Sequence, residues 1–308
     1  MGGYMKNAIN YYYNLYPINL YQNQKMYKFT VDNKDYFFVP YKRDINNLEL
    51  IYKLHEILNQ YNIYCHKIVL NINNEISTNI NNKSYVLLES KLINDEPINL
   101  KNIFYYQIVT PNLHLENIIS PRKWRDLWIN KVDYFEYQVL SYKKKYPLVS
   151  ITSSYYIGLA ENAIQLLYNQ PEINDYCISH HRILNDYTLF DLYNPLEFII
   201  DKSTRDITEF FKIKFFNDEL KFEDIFNYIN INLKNNEDAI FFLSRMIYPS
   251  YYFDLCEKII YENINENELS IVLDRANNYE KFLKKIYHIL SDTFIIPNIE
   301  WLKEIKYL

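Results

Sequence analysis

Tyr27-Lys28-Phe29-Thr30-Val31, then Asn33-Lys34-Asp35, then Tyr36-Phe37-Phe38-Val39 reads as strand, polar turn and strand. Aromatic and β-branched residues suit a pleated, half-buried surface, and Asn and Asp tolerate the turn. Beyond this pair, Leu50, Ile51, Leu54, Ile57, Leu58 and Tyr61 recur at helical spacing, with Glu49, Lys53 and Glu56 between them. Two more strand-like runs follow, Lys67-Ile68-Val69-Leu70-Asn71-Ile72 and Ser84-Tyr85-Val86-Leu87-Leu88. The Asn-rich stretch between them predicts an antiparallel hairpin. Residues 1–90 thus read as a small β-rich α+β unit, with a junction near Glu89-Ser90.

From about residue 96 the pattern turns helical. Trp124, Leu127, Trp128, Val132 and Phe135 form one apolar stripe; Tyr156, Leu159, Ala160, Ala163, Ile164 and Leu167 form another. Helical periodicity also covers roughly 205–216, 221–233, 237–263 and 266–291. Between the helices, Asp186 to Asp201 is irregular and aromatic and ends in the strand-like Glu197-Phe198-Ile199-Ile200. Residues 91–308 are therefore expected to form a larger helical lobe, and the whole an α+β fold. Gly158 interrupts the second stripe. Glycine costs about 1 kcal/mol against alanine inside a helix, so a close helix contact is expected there.

Composition removes many function classes. Of the 308 residues only three are glycine, and Gly158 is the one in the interior. No Walker A loop, dinucleotide fingerprint, kinase-type glycine loop or G-x-S-x-G elbow can be written with it. Lys and Arg total 33 against 38 Asp and Glu, a net charge of −5, so the basic footprint of a nucleic-acid binder is missing. The three cysteines, Cys65, Cys177 and Cys256, are far apart and fit a reducing compartment and inert core positions. No apolar run approaches the ~18 residues of a membrane span, and no basic segment leads into a secretory h-region. The abundance of Asn, Ile, Tyr and Phe reads as the bias of an A- and T-rich genome. His180-His181 point apart on an extended chain and lack zinc-ligand spacing, so no metal site is expected.

Five segments in order resemble the CotS-like spore coat proteins of spore-forming Firmicutes. They are Trp124-Arg125-Asp126-Leu127-Trp128 with Lys131 and Asp133; Tyr155 to Gln165; Ser179-His180-His181-Arg182; Ile200 to Glu209; and Arg245-Met246-Ile247-Tyr248-Pro249-Ser250-Tyr251-Tyr252-Phe253. That family is similar in fold to aminoglycoside phosphotransferases and choline kinases. The resemblance implies a two-lobed, protein-kinase-like (aminoglycoside phosphotransferase-like) architecture, with a β-rich N-lobe over 1–90 and a helical C-lobe over 91–308.

Phosphoryl transfer in such folds needs a strand lysine for the phosphates, a loop aspartate for the acceptor, and an Asn and second Asp for Mg²⁺. The phosphotransferase loop H-G-D-x-x-x-x-N is matched here by the degenerate His180-His181-Arg182, with Tyr187 in the Asn place and Asn185 two positions away. Arg182 is always charged and can neither accept a hydroxyl proton nor bind Mg²⁺. Asp201 fits the second metal aspartate. On the strand side Pro40 stands where the lysine is expected, and Lys42, two residues on, would share that strand face. Lys42 and Asp201 are the residual nucleotide candidates; no catalytic residue, cofactor or metal is expected. Trp124, Gly158, Arg205 and Asp206 are read as structural, and Arg182 is expected to form a buried pair with Asp201 or Asp206. The expected function is a non-catalytic coat-associated protein, made in the mother-cell cytoplasm and deposited on the spore, that meets other spore coat proteins through protein–protein contacts. The alternative is an ATP-dependent small-molecule phosphotransferase with an unorthodox loop. A third reading keeps the cleft for another ligand or a peptide.

Overall fold

The computed structural model describes residues 2–23, 26–92, 95–168, 170 and 175–304. In chain order the first part carries α1 (Gly2–Tyr13), β1 (Tyr21–Gln22), β2 (Tyr27–Val31), β3 (Lys34–Tyr41), α2 (Asn46–Gln60), β4 (Lys67–Val69), β5 (Thr78–Ile80), β6 (Lys83–Ser90) and α3 (Leu100–Val109). Then come α4 (Trp124–Tyr142), α5 (Pro147–Leu166), β7 (Tyr176–His180), α6 (Leu189–Leu192), β8 (Phe198–Lys202), α7 (Thr204–Phe216), α8 (Phe222–Asn232), α9 (Asn236–Ile247) and α10 (Ser250–Glu262). The described chain ends with α11 (Ser270–Leu273), α12 (Ala276–Thr293) and α13 (Glu300–Lys303). Two compact units emerge: residues 1–121 with 176–201, and residues 122–175 with 202–308.

The first unit is built on an antiparallel sheet of order β1-β2-β3-β6-β4, with β5 paired to β6. The Tyr36–Val39 run is apolar throughout because both faces of β3 are covered. Phe38 joins Phe29, Leu87 and the α1 residues Met5 and Ile9 in one core cluster. Its neighbour Phe37 joins Val86, Leu88 and the α2 residues Leu48 and Ile51 in another. Period-two alternation sends successive side chains to opposite faces, so each strand feeds two cores. Helix α1 has no counterpart in the sequence reading. Met5, Ile9 and Tyr13 recur every four residues and are buried, a stripe obscured by the two glycines that precede it.

Several expectations move. The β2–β3 turn is Asp32-Asn33, with φ of 51° and 60°, so Lys34 and Asp35 belong to β3. The register then sets Thr30 opposite Asp35 and Phe29 opposite Tyr36. The predicted 67–88 hairpin is not direct: β4 pairs antiparallel with β6, but β5 intervenes and makes the tight turn through Asn81-Asn82. Glu89-Ser90 are the last two residues of β6. The long helix over 237–263 breaks into α9 and α10 at Tyr248-Pro249, because proline lacks the N–H that a continuing helix needs.

In the second unit α5 packs on α4 and α9, and α7 on α9. Pro147 opens α5 at a position where its missing N–H is no loss. Tyr156 stacks on Tyr252 with centroids 3.7 Å apart, and Phe135 meets both Tyr252 and Phe253 edge-on. Gly158 corrects an expectation. A Cβ built there would meet nothing within 4 Å, so no helix approaches closely. The carbonyl of Gly158 instead accepts a 2.7 Å hydrogen bond from Asn162 Nδ2, one turn on. Among the described residues no helix is long and apolar enough to cross a membrane.

Candidate functional site

The loop that would carry phosphotransfer chemistry lies in the first unit, between β7 and β8. His180 ends β7 fully buried, its Nε2 2.8 Å from the carbonyl of Leu192 and its ring edge-on to Tyr187 and Phe198. The backbone N–H of His181 donates to the carbonyl of Glu197 at 2.8 Å. These bonds tie the His180 imidazole and the His181 backbone to the segments that flank the loop. Arg182 is exposed, whereas Asp206, like Asp201, is buried. Asp201 is buried at the end of β8 and Tyr187 is buried in the loop.

Lys42 does not share a strand face. Strand β3 stops at Tyr41, and Lys42 is exposed on the rim of a pocket of about 580 Å³ lined also by Lys83, Tyr27 and Tyr85. The cation that reaches inward is its neighbour. Arg43 Nη1 donates to the carbonyls of Leu196 and Phe198 at 2.8 and 3.1 Å, tying the chain after β3 to the start of β8. Burial pushes the Glu197 carboxyl above its ordinary range, against the pull of Arg43, His180 and Arg182, while Asp191 adds to the rise. Arg43 had a sequence signal: an arginine two residues after an apolar strand and shortly before a helix.

Whether Mg²⁺ and a nucleotide fit can be judged from these residues. By the motif match, the acceptor-orienting place falls to Arg182 and the Asn place to Tyr187. Among the described residues no group of three or more His, Cys, Asp or Glu is placed to hold a metal ion. Arg182 and Tyr187 at those positions would offer Mg²⁺ neither the carboxylate nor the amide oxygen it takes. Burial pushes the thiols of Cys65 and Cys256 up to about 12, so these two stay protonated at neutral pH.

The second unit gathers Trp124, Arg205, Asp206 and the 245–253 segment. Two guanidinium groups lie over the Trp124 ring: the guanidinium carbon of Arg205 is 4.4 Å from its centroid and that of Arg245 4.2 Å. Arg245 also reaches Trp128, which stacks on Tyr248 at 4.1 Å and 8°. Arg205 Nε is 3.8 Å from its own neighbour Asp206 in the first turn of α7. One turn further, Glu209 Oε1 accepts from Lys212 at 2.9 Å and lies 3.6 Å from Arg245. Lys212 Nζ also donates to the carbonyls of Arg245 and Tyr248 at 2.9 and 3.2 Å, closing the C-terminal end of α9. Ser250 Oγ also lies 2.9 Å from Lys212 Nζ, and Ser250 in turn donates to Glu209. Burial pushes Glu209 up, but Lys212 and Arg245 outweigh it and hold the carboxylate below its ordinary range. Burial lowers Lys212, with Glu209 opposing. Glu209 and Lys212 escaped the sequence reading, although charges three apart around Phe210-Phe211 place both on one helix face.

Three comparisons bear on identity. The family described as "Spore coat putative kinase YutH" matches residues 6–286. The Endospore coat-associated protein YutH of Bacillus subtilis (strain 168) is 22% identical over 207 residues, which cover 58% of this chain and 61% of that protein's length. Among solved structures, an aminoglycoside phosphotransferase from Alicyclobacillus acidocaldarius aligns with TM-score 0.61 at 10% identity, over 92% of this chain and 95% of the other. A spectinomycin phosphotransferase in complex with ADP and spectinomycin gives 0.56 at 12%, over 94% and 93%. Amicoumacin kinase, in complex with AMP-PNP, Ca²⁺ and its ligand, gives 0.55 at 12%, over 97% and 95%. The fold is therefore two-lobed and kinase-like, of the aminoglycoside phosphotransferase type, as the resemblance implied. With a family match running across nearly the whole sequence, this chain belongs to the YutH family of spore coat proteins.

Proposed function

We propose that this chain is a non-catalytic, kinase-like spore coat protein that works through protein–protein contacts in coat assembly. The observation that carries the reading is Arg182. An exposed guanidinium stands where a phosphotransferase needs a carboxylate to orient the acceptor hydroxyl. Positioning and charge neutralisation supply nearly all the acceleration in this chemistry, and both need the carboxylate and metal ligands. Membership in a coat family supports deposition on the spore after synthesis in the mother-cell cytoplasm. Exposed aromatic side chains such as Tyr11, Tyr137 and Tyr168 suit partner contacts with other coat proteins. The β-rich lobe over 1–90 and helical lobe over 91–308 are the division this reading keeps.

The test is turnover by the full chain with Mg·ATP, run beside Arg182→Asp and Asp201→Ala, with a fluorescent fusion followed through sporulation. Expected are background ATP hydrolysis in all three proteins and fluorescence that moves from the mother-cell cytoplasm to the spore surface. Arg182→Asp stays inactive because Tyr187 and the displaced Lys42 remain. Turnover in the unmodified protein, abolished by Asp201→Ala, would replace this reading with the phosphotransferase.

A further inference from the structure

After β6 the chain runs past Asp95, Glu96, Pro97 and Ile98 toward α3. In kinase-like folds a lysine of the third strand pairs with the nucleotide phosphates, which sets the nucleotide against that strand. An adenine there needs a backbone acceptor for its amine, a donor for its ring nitrogen, and apolar surfaces for its two faces. Here the chain itself meets all three needs. Leu189 N–H donates to the carbonyl of Glu96 at 2.8 Å, and Ile98 N–H donates to the carbonyl of Tyr187 at 3.2 Å. Pro97 and Thr188 form an antiparallel bridge between these two bonds. Phe190 N–H donates to Asp95 Oδ1 at 2.9 Å.

The ring position is filled as well. Phe190 is 2% exposed. Its centroid lies 4.2 Å from Phe37 of β3 and 4.6 Å from His66, nearly parallel to the imidazole at 24°. His66 Nε2 sits 3.0 Å from the Phe190 carbonyl, and burial keeps this imidazole neutral with its pKa pushed down to about 4. Thr188 and Asp191 close a capping box at the start of α6, fixing the turn that carries Phe190. The space left beside it, about 340 Å³, is lined by Asn23, Met26, Asp95, Asp186, Thr188 and Asp191 as well as Phe190. Three carboxylates there oppose a polyphosphate by like charge.

We propose that residues 187–190 are a built-in occupant of the purine position, so that the chain excludes nucleotide with its own backbone and the Phe190 ring. This rests on the kinase-like, non-catalytic reading and gives it a physical cause: binding is blocked, not only chemistry.

The test uses the full chain, Phe190→Ala and Phe190→Leu, with adenosine and Mg·ADP as probes. Melting temperature and calorimetric binding are the readouts. The unmodified protein should show no shift and no binding at ~1 mM adenosine, since a ligand of the native state would raise its melting temperature. Phe190→Ala should melt lower and recover part of the loss with adenosine, as an emptied apolar cavity takes up a flat guest. Adenosine binding by the unmodified chain overturns the proposal, and so does a folded Phe190→Ala that adenosine does not rescue. If neither variant folds, amide exchange in the unmodified protein decides. The amides of Ile98, Leu189 and Phe190 should be protected at least ~100-fold relative to free peptide, and unprotected amides overturn the proposal. Adenosine binding without turnover sinks this inference alone; phosphoryl transfer sinks the non-catalytic reading itself.

Discussion

The two units treat the segments that resemble the family in opposite ways. Around residues 180–201 of the first unit a single charged side chain, Asp201, is fully buried; Arg182 is exposed and Glu197 half-buried, and the rest of the interior goes to His180, Tyr187 and Phe190. In the second unit the charges are the interior. Arg205, Lys212 and Arg245 are 4%, 2% and 4% exposed, and each is bonded or stacked on named partners. Buried ions are weak stabilisers as a set, but removing one partner strands the others. The β7–β8 loop packs His180, Tyr187 and Phe190 inside, whereas the helical unit carries a buried ion network that holds α7, α9 and α10 around the Trp124 ring.

The largest effect follows directly. Lys212→Ala should cost about 3–5 kcal/mol, because Glu209 and two helix-end carbonyls lose a buried donor. Arg182→Ala, an exposed change in the other unit, should cost no more than about 1 kcal/mol, the range of a surface ion pair. Urea denaturation of both variants checks the contrast. Comparable losses would erase the distinction between the units.

Acid should separate them next. Burial pushes both His55 and His66 of the first unit down to about 4, so the folded chain keeps them neutral. The unfolded chain protonates them near pH 6.5, so their contribution is whole above that value and is lost as pH falls toward about 4. Each should remove about 1–2 kcal/mol by pH 5. Glu209 is held below its ordinary range and keeps the second unit's network ionised through this window. Stability measured from pH 7.5 to 4.5 should therefore fall, and His66→Gln should flatten the slope. An unchanged slope in that variant would shift the acid response elsewhere.

Much of this was legible and some was not, for identifiable reasons. The Tyr27–Val39 strand pair, the α2 stripe and the helices of the second unit follow from periodicity, since each buries a contiguous apolar face. Lys42 was misplaced because β3 ends one residue before it, and strand ends are set by pairing to β6 and not by side-chain pattern. Phe190 was invisible as an occupant, because its partners Phe37, His66 and Asp95 are joined to it only by the fold. The Asn tracts carry more than genome bias. Among the described residues ten non-glycine positions have positive φ, and seven are Asn, including both central residues of the β5–β6 turn. In a chain with three glycines, Asn takes the left-handed positions that glycine usually fills. Asn82→Ala, at φ 61°, should therefore cost about 1 kcal/mol, while Asn82→Gly should be neutral or better. Equal melting temperatures for the two variants would deny Asn that role.

The smallest prediction reverses an expectation about α5. Gly158 sits in the middle of a 20-residue helix, with only Asn162 bonded to its carbonyl and open space where a Cβ would stand. A methyl group added there displaces nothing, and alanine restricts the unfolded chain more than glycine does. Gly158→Ala should thus stabilise the protein by about 0.5–1 kcal/mol, a rise in melting temperature of a few degrees at most. The gain belongs to the helix alone and should leave the acid slope of the first unit unchanged. A loss of stability in Gly158→Ala would mean that something does close on this position, restoring the tight helix contact that the open space argues against.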